Sequence, residues 1–226
     1  MRIMNKRRED ELRWQPGAWT RSVLLLAGTV ALSASHSAAL ADEPDAATKA
    51  YAQRIAITVC GTCHGPRGNS THPKFPRLAG QNAHYLTAQL KAFRSQTRGD
   101  PDAVGYMWGM AGELEDTLLD ALAGYYAEQK TEASAGRDSA LIARGREIYE
   151  HGIESQGVPA CSACHGPDAH GLQDFPRLAG QHVQYILKQL ASFQSNMRNV
   201  AVMHGVAQNL RLSEMQAVAA YLEGQP

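Results

Sequence analysis

This sequence has few cysteines, no long apolar run and no surplus of one charge. The chain balances 22 Lys and Arg with 22 Asp and Glu, and residues 42–226 alone hold 16 basic and 19 acidic side chains. The sequence therefore lacks the surplus of basic residues that would indicate nucleic acid as a partner. The most apolar run, residues 23–34, is too short to span a bilayer comfortably, and no later segment is apolar enough to cross one.

The first 41 residues are predicted to form a signal peptide. A basic region precedes the apolar run, and the small-residue site Ala39-Leu40-Ala41 follows it, which is the pattern of an export signal. Cleavage there would make Asp42 the mature N-terminus, and retention of residues 1–41 as an uncleaved anchor is the alternative. The expected location is the periplasm, because an export signal of this kind directs a bacterial chain across the cytoplasmic membrane.

All four cysteines lie in two pentapeptides of one pattern, Cys60-Gly61-Thr62-Cys63-His64 and Cys161-Ser162-Ala163-Cys164-His165. C-x-x-C-H is the attachment sequence of a c-type haem, whose vinyl groups form thioethers with the two thiols while the His binds the iron. The sequence therefore predicts two covalent haem c groups. Their thioether residues would be Cys60, Cys63, Cys161 and Cys164, and their proximal ligands His64 and His165.

Three other uses of paired cysteines fit less well. Zinc ribbons place their pairs about 15 to 20 residues apart, whereas Cys63 and Cys161 lie almost a hundred positions apart. A thioredoxin-like C-x-x-C needs a βαβ setting, and no strand pattern surrounds either motif. Structural disulfides would give no reason for a His at the fifth position both times.

The chain contains an internal repeat. The heptapeptide FPRLAGQ occurs at residues 75–81 and again at residues 175–181, and a period near one hundred residues indicates domain duplication. The polar, small-residue stretch around Ser134 and Gly136 marks the boundary. We expect an N-terminal domain at 42–132, a linker at 133–138 and a C-terminal domain at 139–226, with limited relative motion.

Helical periodicity occurs in both halves, and strand-like alternation is absent. Helices are predicted at 47–59 and 139–150 before the two motifs, and at 81–93 and 181–193 after them. The last helices are predicted to begin at the capping-box sequences that start with Thr117 and Ser213. The fold class is therefore all-α. Because each half buries little core by itself, we expect the apoprotein to be largely unfolded.

The repeat also identifies the sixth iron ligand. When the two copies are aligned, Met107 is matched with Met203. Met110 is matched with Val206, and no methionine of the first copy is matched with Met197. Met107 and Met203 are therefore the predicted axial ligands. A thioether raises the potential of the iron, and a filled sixth site leaves no place for substrate, which favours electron transfer over catalysis.

Residues around the ligands carry further expectations. The carbonyls of Pro76 and Pro176 are candidates to hold the ring N–H of the proximal His. Four arginines are expected to be exposed, with pairing to haem propionates as the alternative: Arg77, Arg98, Arg177 and Arg198. Six histidines without a matched position are expected at the surface or in hydrogen bonds: His72, His84, His151, His170, His182 and His204.

The order of C-x-x-C-H, a Pro-x-Leu loop, a Met loop and a closing helix with Tyr resembles class I c-type cytochromes. Two such domains in tandem, with FPRLAGQ and Cys-His-Gly-Pro in both, resemble the dihaem cytochrome c4 family over essentially all of the mature chain. The resemblance implies a periplasmic carrier, often loosely membrane-associated, that passes electrons from the respiratory chain to haem-copper terminal oxidases. It also implies two haems that face each other across the domain interface.

The expected function is thus electron transfer between redox protein partners by a monomer that is not itself an enzyme. The alternative is a periplasmic oxidoreductase, or a dihaem subunit of one, such as a peroxidase or a sulfur-compound dehydrogenase. Such an enzyme would need one haem with an open site or with a His or Cys as sixth ligand.

Overall fold

The computed structural model describes residues 43–132 and 139–226. The predicted signal peptide (1–41) and linker (133–138) lie outside the described residues. The described part contains ten α-helices and no β-strand, apart from one isolated bridge between Ile153 and Val158. The all-α prediction is confirmed. Within the same residues, no helix is both long and apolar enough to cross a membrane.

The first half, residues 43–132, is built from five α-helices, two π-helical turns and one short 3-10 turn at Pro66–Gly68. In chain order the α-helices and π-turns are α1 (Ala46–Ile55), a π-turn (Ala56–Cys60), α2 (Gly61–His64), α3 (Ala83–Arg94), a second π-turn (Ala103–Met107), α4 (Trp108–Ala111) and α5 (Asp116–Ala127). Helices α1 and α3 both pack against α5. Alanine supplies four of the seven buried residues in the main core of this half, so the polypeptide alone buries few large apolar groups here.

The second half, residues 139–226, repeats this arrangement. Its helices are α6 (Ser139–His151), α7 (Ser162–His165), α8 (Val183–Gln194), α9 (Ala201–Ala207) and α10 (Leu212–Glu223). Helices α6 and α10 approach closely at Gly145, where an added Cβ would lie 2.0 Å from the Ala217 carbonyl oxygen. A larger core than in the first half surrounds this crossing, with Ile148, Tyr149 and Leu222 fully buried.

The starting residues of α5 and α10, the last helix of each half, differ slightly from the sequence prediction. Helices α5 and α10 begin one residue before Thr117 and Ser213. The reciprocal side chain at the start of α10 is Glu214, whose carboxylate accepts the backbone N–H of Arg211 at 2.8 Å. The Ser213 capping box was therefore wrong, and the Thr117 box was wrong as well, because the N-cap residue of α5 is Glu115. A carboxylate at the third helical position can bind the N-cap amide whatever residue stands at the N-cap.

The two halves meet through side chains that the repeat places at matched positions. Gln81 and Gln181 each bind the backbone of the opposite half. Arg98 and Arg198, each 6% exposed, also reach across the boundary. Because the same residue types cross in both directions, the contact has approximate two-fold symmetry.

Candidate haem centres

The cysteines of both motifs form no disulfide with one another. The first cysteine of each pair, Cys60 or Cys161, packs against the core of its own half. Burial raises the pKa of the Cys60 thiol and raises that of Cys161 to about 11. The second cysteine of the first pair, Cys63, is exposed. Each motif thus presents one thiol from the core and a second thiol three residues later.

The histidine that follows each pair is buried and held by one hydrogen bond. His64 Nδ1 lies 2.9 Å from the Pro76 carbonyl oxygen, and His165 Nδ1 lies 3.1 Å from that of Pro176. Since a carbonyl only accepts, Nδ1 carries the proton and donates in both cases. The two proline predictions are confirmed. Nε2, the other ring nitrogen, keeps its lone pair and is the atom that can bind iron.

Burial also sets the charge of these imidazoles. It lowers the pKa of His64 and of His165, while the hydrogen bond to the proline carbonyl acts in the opposite direction. The neutral imidazole, which is the form that coordinates a metal, is therefore favoured. An aromatic edge supports each ring, with the centroid of Phe75 6.2 Å from that of His64 and the centroid of Phe175 6.0 Å from that of His165.

A tight loop returns the chain over each histidine. Gly65 has φ +76°, and a Cβ there would lie 2.4 Å from the Asn69 carbonyl oxygen. In the second copy a different glycine makes the close approach: Gly171 has φ +86°, and a Cβ there would lie 2.4 Å from the Phe175 oxygen and 2.9 Å from the Pro176 carbonyl carbon. Only glycine fits a positive φ together with so close an approach, and at Gly171 the approach is to the peptide whose carbonyl holds His165.

The four methionines weighed as sixth ligands separate into a half-buried pair and an exposed pair. Met107 packs against Phe93 and its neighbours in the first half, and Met203 packs against the core of the second. The alternative candidates for the sixth ligand, Met110 and Met197, are 47% and 48% exposed. The burial pattern therefore agrees with the sequence alignment in favouring Met107 and Met203, whose role as ligands stays a prediction.

The donor set and the surroundings fit a covalent haem in each half. Two thiols, one imidazole with a free Nε2 and one thioether are the groups that attach and ligate a c-type haem. Large apolar side chains remain exposed near both methionines, namely Val104, Tyr106, Val200 and Val202. A flat macrocycle beside them would supply the apolar contacts that the small alanine-rich core lacks.

The structure corrects one expectation about the arginines. Arg98 and Arg198 were expected to be exposed, and they are buried. Their guanidinium groups bind Gln89 and Gln189 of both halves. Gln89 and Gln189 stand at matched positions of the repeat, eight residues after Gln81 and Gln181. Their recurrence in both copies was the available signal, but it could not show that the two copies face each other there.

Several unmatched histidines are hydrogen-bonded, as expected. His182, at the start of α8, lies with Nε2 2.9 Å from the Ser70 carbonyl oxygen in the first half. His204 Nδ1 lies 2.8 Å from the Phe193 carbonyl oxygen. Both rings therefore have structural partners of their own.

Comparison with known proteins gives consistent results. The Cytochrome c family model matches residues 49–128 and again residues 142–225. A cytochrome c4 of Stutzerimonas stutzeri is 40% identical over 191 residues, covering 79% of this chain and 90% of the relative. A thiosulfate dehydrogenase electron acceptor of Thiomonas intermedia is 35% identical over 174 residues, covering 74% and 78%. The solved cytochrome c4 of Acidithiobacillus ferrooxidans matches with a TM-score of 0.70 and 40% identity, over 73% of this chain and 97% of that one.

Proposed function

This chain belongs to the cytochrome c4 family, and on that premise we propose that it is a periplasmic electron carrier whose two irons each bind one His and one Met. It carries two covalent haem c groups. One is attached through Cys60 and Cys63 in a domain at 42–132, and the other through Cys161 and Cys164 in a domain at 139–226.

The doubled donor set is the observation that supports this proposal best. In each half a buried His donates from Nδ1 to a proline carbonyl, and a half-buried Met lies on a segment flanked by apolar side chains. His64 and Met107 are the proposed axial pair of the first domain, and His165 and Met203 that of the second. When bound, each haem supplies a one-electron iron couple.

The residues around the haems favour electron transfer over substrate chemistry. The proline carbonyl fixes the tautomer and orientation of each imidazole, and a thioether in the sixth position blocks access of small ligands. The buried contacts between the halves hold the two centres in one arrangement. An electron can then move between the domains without a change in their docking.

The proposed partners are proteins of the respiratory chain, with a haem-copper terminal oxidase as acceptor. The protein would act as a monomer, in loose association with the membrane. A sulfur-compound dehydrogenase is a second candidate donor, since one relative is named a thiosulfate dehydrogenase electron acceptor. Oxidation kinetics of the reduced protein with a purified haem-copper oxidase, and reduction kinetics with thiosulfate and its dehydrogenase, would distinguish these two roles.

Ligand replacement tests the proposal directly. Met107→Ala and Met203→Ala are each expected to open one iron, so that the ferrous protein binds carbon monoxide and the ferric protein loses half of the Met-to-iron charge-transfer band. The matched controls Met110→Ala and Met197→Ala should leave the band intact and bind no carbon monoxide. Carbon monoxide binding by the unmutated ferrous protein would instead support an enzyme with an open haem.

A further inference from the structure

One peptide group in each half joins the proximal histidine to the opposite half. The carbonyl oxygen of Pro76 accepts from His64 Nδ1 at 2.9 Å. The N–H of the same peptide group, that of Arg77, donates to Gln181 Oε1 at 2.9 Å. Gln181 belongs to the second half, so a hydrogen-bonded chain of three groups runs from His64 across the interface.

The second half contains the reciprocal chain. His165 Nδ1 donates to the Pro176 carbonyl at 3.1 Å, and the Arg177 N–H of that peptide group donates to Gln81 Oε1 at 2.8 Å. Gln81 belongs to the first half. Each glutamine therefore contacts the peptide that holds the histidine of the other half.

Both glutamine amides are fixed in orientation and buried. Gln181 Nε2 donates to the Arg77 carbonyl at 3.0 Å, and Gln81 Nε2 donates to the Arg177 carbonyl at 2.9 Å. Because the amide nitrogen faces a carbonyl and the amide oxygen faces an N–H, only one orientation satisfies both contacts. Each of the two side chains is only 6% exposed, so little water competes for these bonds.

Such a chain changes the electronic state of the histidine. A hydrogen bond donated by a peptide N–H polarises the peptide and makes its carbonyl oxygen a stronger acceptor. A stronger acceptor at Nδ1–H makes the imidazole more basic and more electron-donating toward a bound metal. A more electron-rich ligand favours the ferric state and lowers the reduction potential of the iron.

We propose that Gln181 and Gln81 are crossed positioning residues: Gln181 tunes the iron bound to His64, and Gln81 tunes the iron bound to His165. The inference rests on the proposed ligation by those two histidines. It makes the potential of each domain depend on its docking against the other, because each glutamine reaches its target peptide only across the interface.

Replacement of each glutamine by methionine tests the proposal. Methionine keeps the length of the side chain but neither accepts the peptide N–H strongly nor donates. Gln181→Met is expected to shift the potential of the His64 iron upward, with a much smaller change at the His165 iron, and Gln81→Met is expected to do the reverse. Redox titration gives the two potentials, and haem resonances assigned with the axial-ligand variants tell which domain each belongs to.

A second measurement keeps the test valid if the variants dock less tightly. In the diamagnetic ferrous protein, the His64 Nδ1–H proton resonance should move to lower frequency in Gln181→Met, while that of His165 stays in place. The control Gln189→Met removes another buried glutamine that bonds across the interface and touches neither peptide. It should produce no selective shift at either histidine.

The outcomes separate this inference from the proposed function. Equal shifts at both irons in either variant, a shift in the same half as the substitution, or no shift would overturn the crossed role of the glutamines. The charge-transfer band and the haem content of the unmutated protein are separate measurements, and they test the proposed function itself. A wild-type protein without that band would overturn the His/Met ligation itself.

Discussion

Asp100 Oδ1 lies 2.6 Å from Arg98 Nε, and both side chains are buried where the two halves meet. The matched arginine of the second half, Arg198, has Val200 at the position of this carboxylate. Its Nε is buried without a hydrogen-bond partner within residues 43–132 and 139–226. Among the described residues, Asp100 is thus the one carboxylate that pairs with either of these two buried guanidinium groups.

Asp100→Asn is therefore expected to destabilise the docked pair of domains. Removing one partner of a buried ion pair leaves an uncompensated charge, and the free energy of unfolding should fall by about 3 kcal/mol. Chemical denaturation of the holoprotein measures the loss. The control Glu43→Gln breaks the exposed pair with Lys49 and should cost less than about 1 kcal/mol. Equal effects of the two substitutions would show that Asp100 does not stabilise the interface.

The stability of the interface should depend on pH through His182, which is 5% exposed. Burial lowers the pKa of this imidazole below its ordinary value of 6.5, the neighbouring Arg77 lowers it further, and the Ser70 carbonyl and Glu223 partly oppose the shift. Below about pH 6.5 the unfolded chain binds a proton that the folded chain does not. The contribution of His182 to the free energy of unfolding is thus complete above that pH. It is lost as the pH falls through the lowered pKa of the folded protein.

The variant His182→Asn tests this pH dependence. Asparagine is the residue at the matched position of the first half, Asn82. Unfolding midpoints of wild type and His182→Asn would be compared between pH 7.5 and pH 5. The wild type should lose more stability over that interval than the variant. Identical pH profiles would mean that His182 does not contribute.

Gly145→Ala should destabilise the second half. An added Cβ would lie 2.0 Å from the Ala217 carbonyl oxygen and 2.8 Å from the Tyr221 Cβ, so α6 and α10 would have to move apart. Overpacking of this kind costs about 1 to 3 kcal/mol. Gly124 lies in α5 with no atom within 4 Å of an added Cβ, and Gly124→Ala should be neutral or stabilising by up to about 1 kcal/mol. Thermal denaturation followed by circular dichroism would compare them, and a neutral Gly145→Ala would contradict the close crossing.

The first half should depend on its haem more than the second does. Its main core has seven buried apolar residues, four of them alanine, against fifteen in the core of the second half. A Cys60→Ala/Cys63→Ala variant should lose one haem and much of the helical circular dichroism of residues 43–132. A Cys161→Ala/Cys164→Ala variant should lose one haem and less helical signal. Full helicity in both variants would refute the dependence of folding on haem.

Local patterns and the repeat were sufficient to predict much of the architecture. The C-x-x-C-H motifs carry the attachment chemistry in five consecutive residues, and helical spacing placed the main helices within a few positions. The proline carbonyls could be anticipated because a ligating His needs an acceptor for its other ring N–H, and the loop offers one at the same place in both copies.

The interface could not be predicted in the same way. Sequence shows that Arg98 corresponds to Arg198 and Gln81 to Gln181, but it does not show which faces of the two copies meet. Arginine is usually exposed, and the burial of these two depends on partners about ninety positions or more away, such as Gln189 and Tyr85. Burial of this kind arises from tertiary docking, which local patterns do not encode.

The optical spectrum of the purified mature protein, recorded with the haem content per chain, tests the central claim most directly. Two six-coordinate His/Met irons predict two haems per chain, a ferric Met-to-iron charge-transfer band with the intensity of two centres, and no high-spin signature. Half of that intensity together with a high-spin signature would show that one iron is open, and would contradict the account of this protein as a carrier with two closed haems.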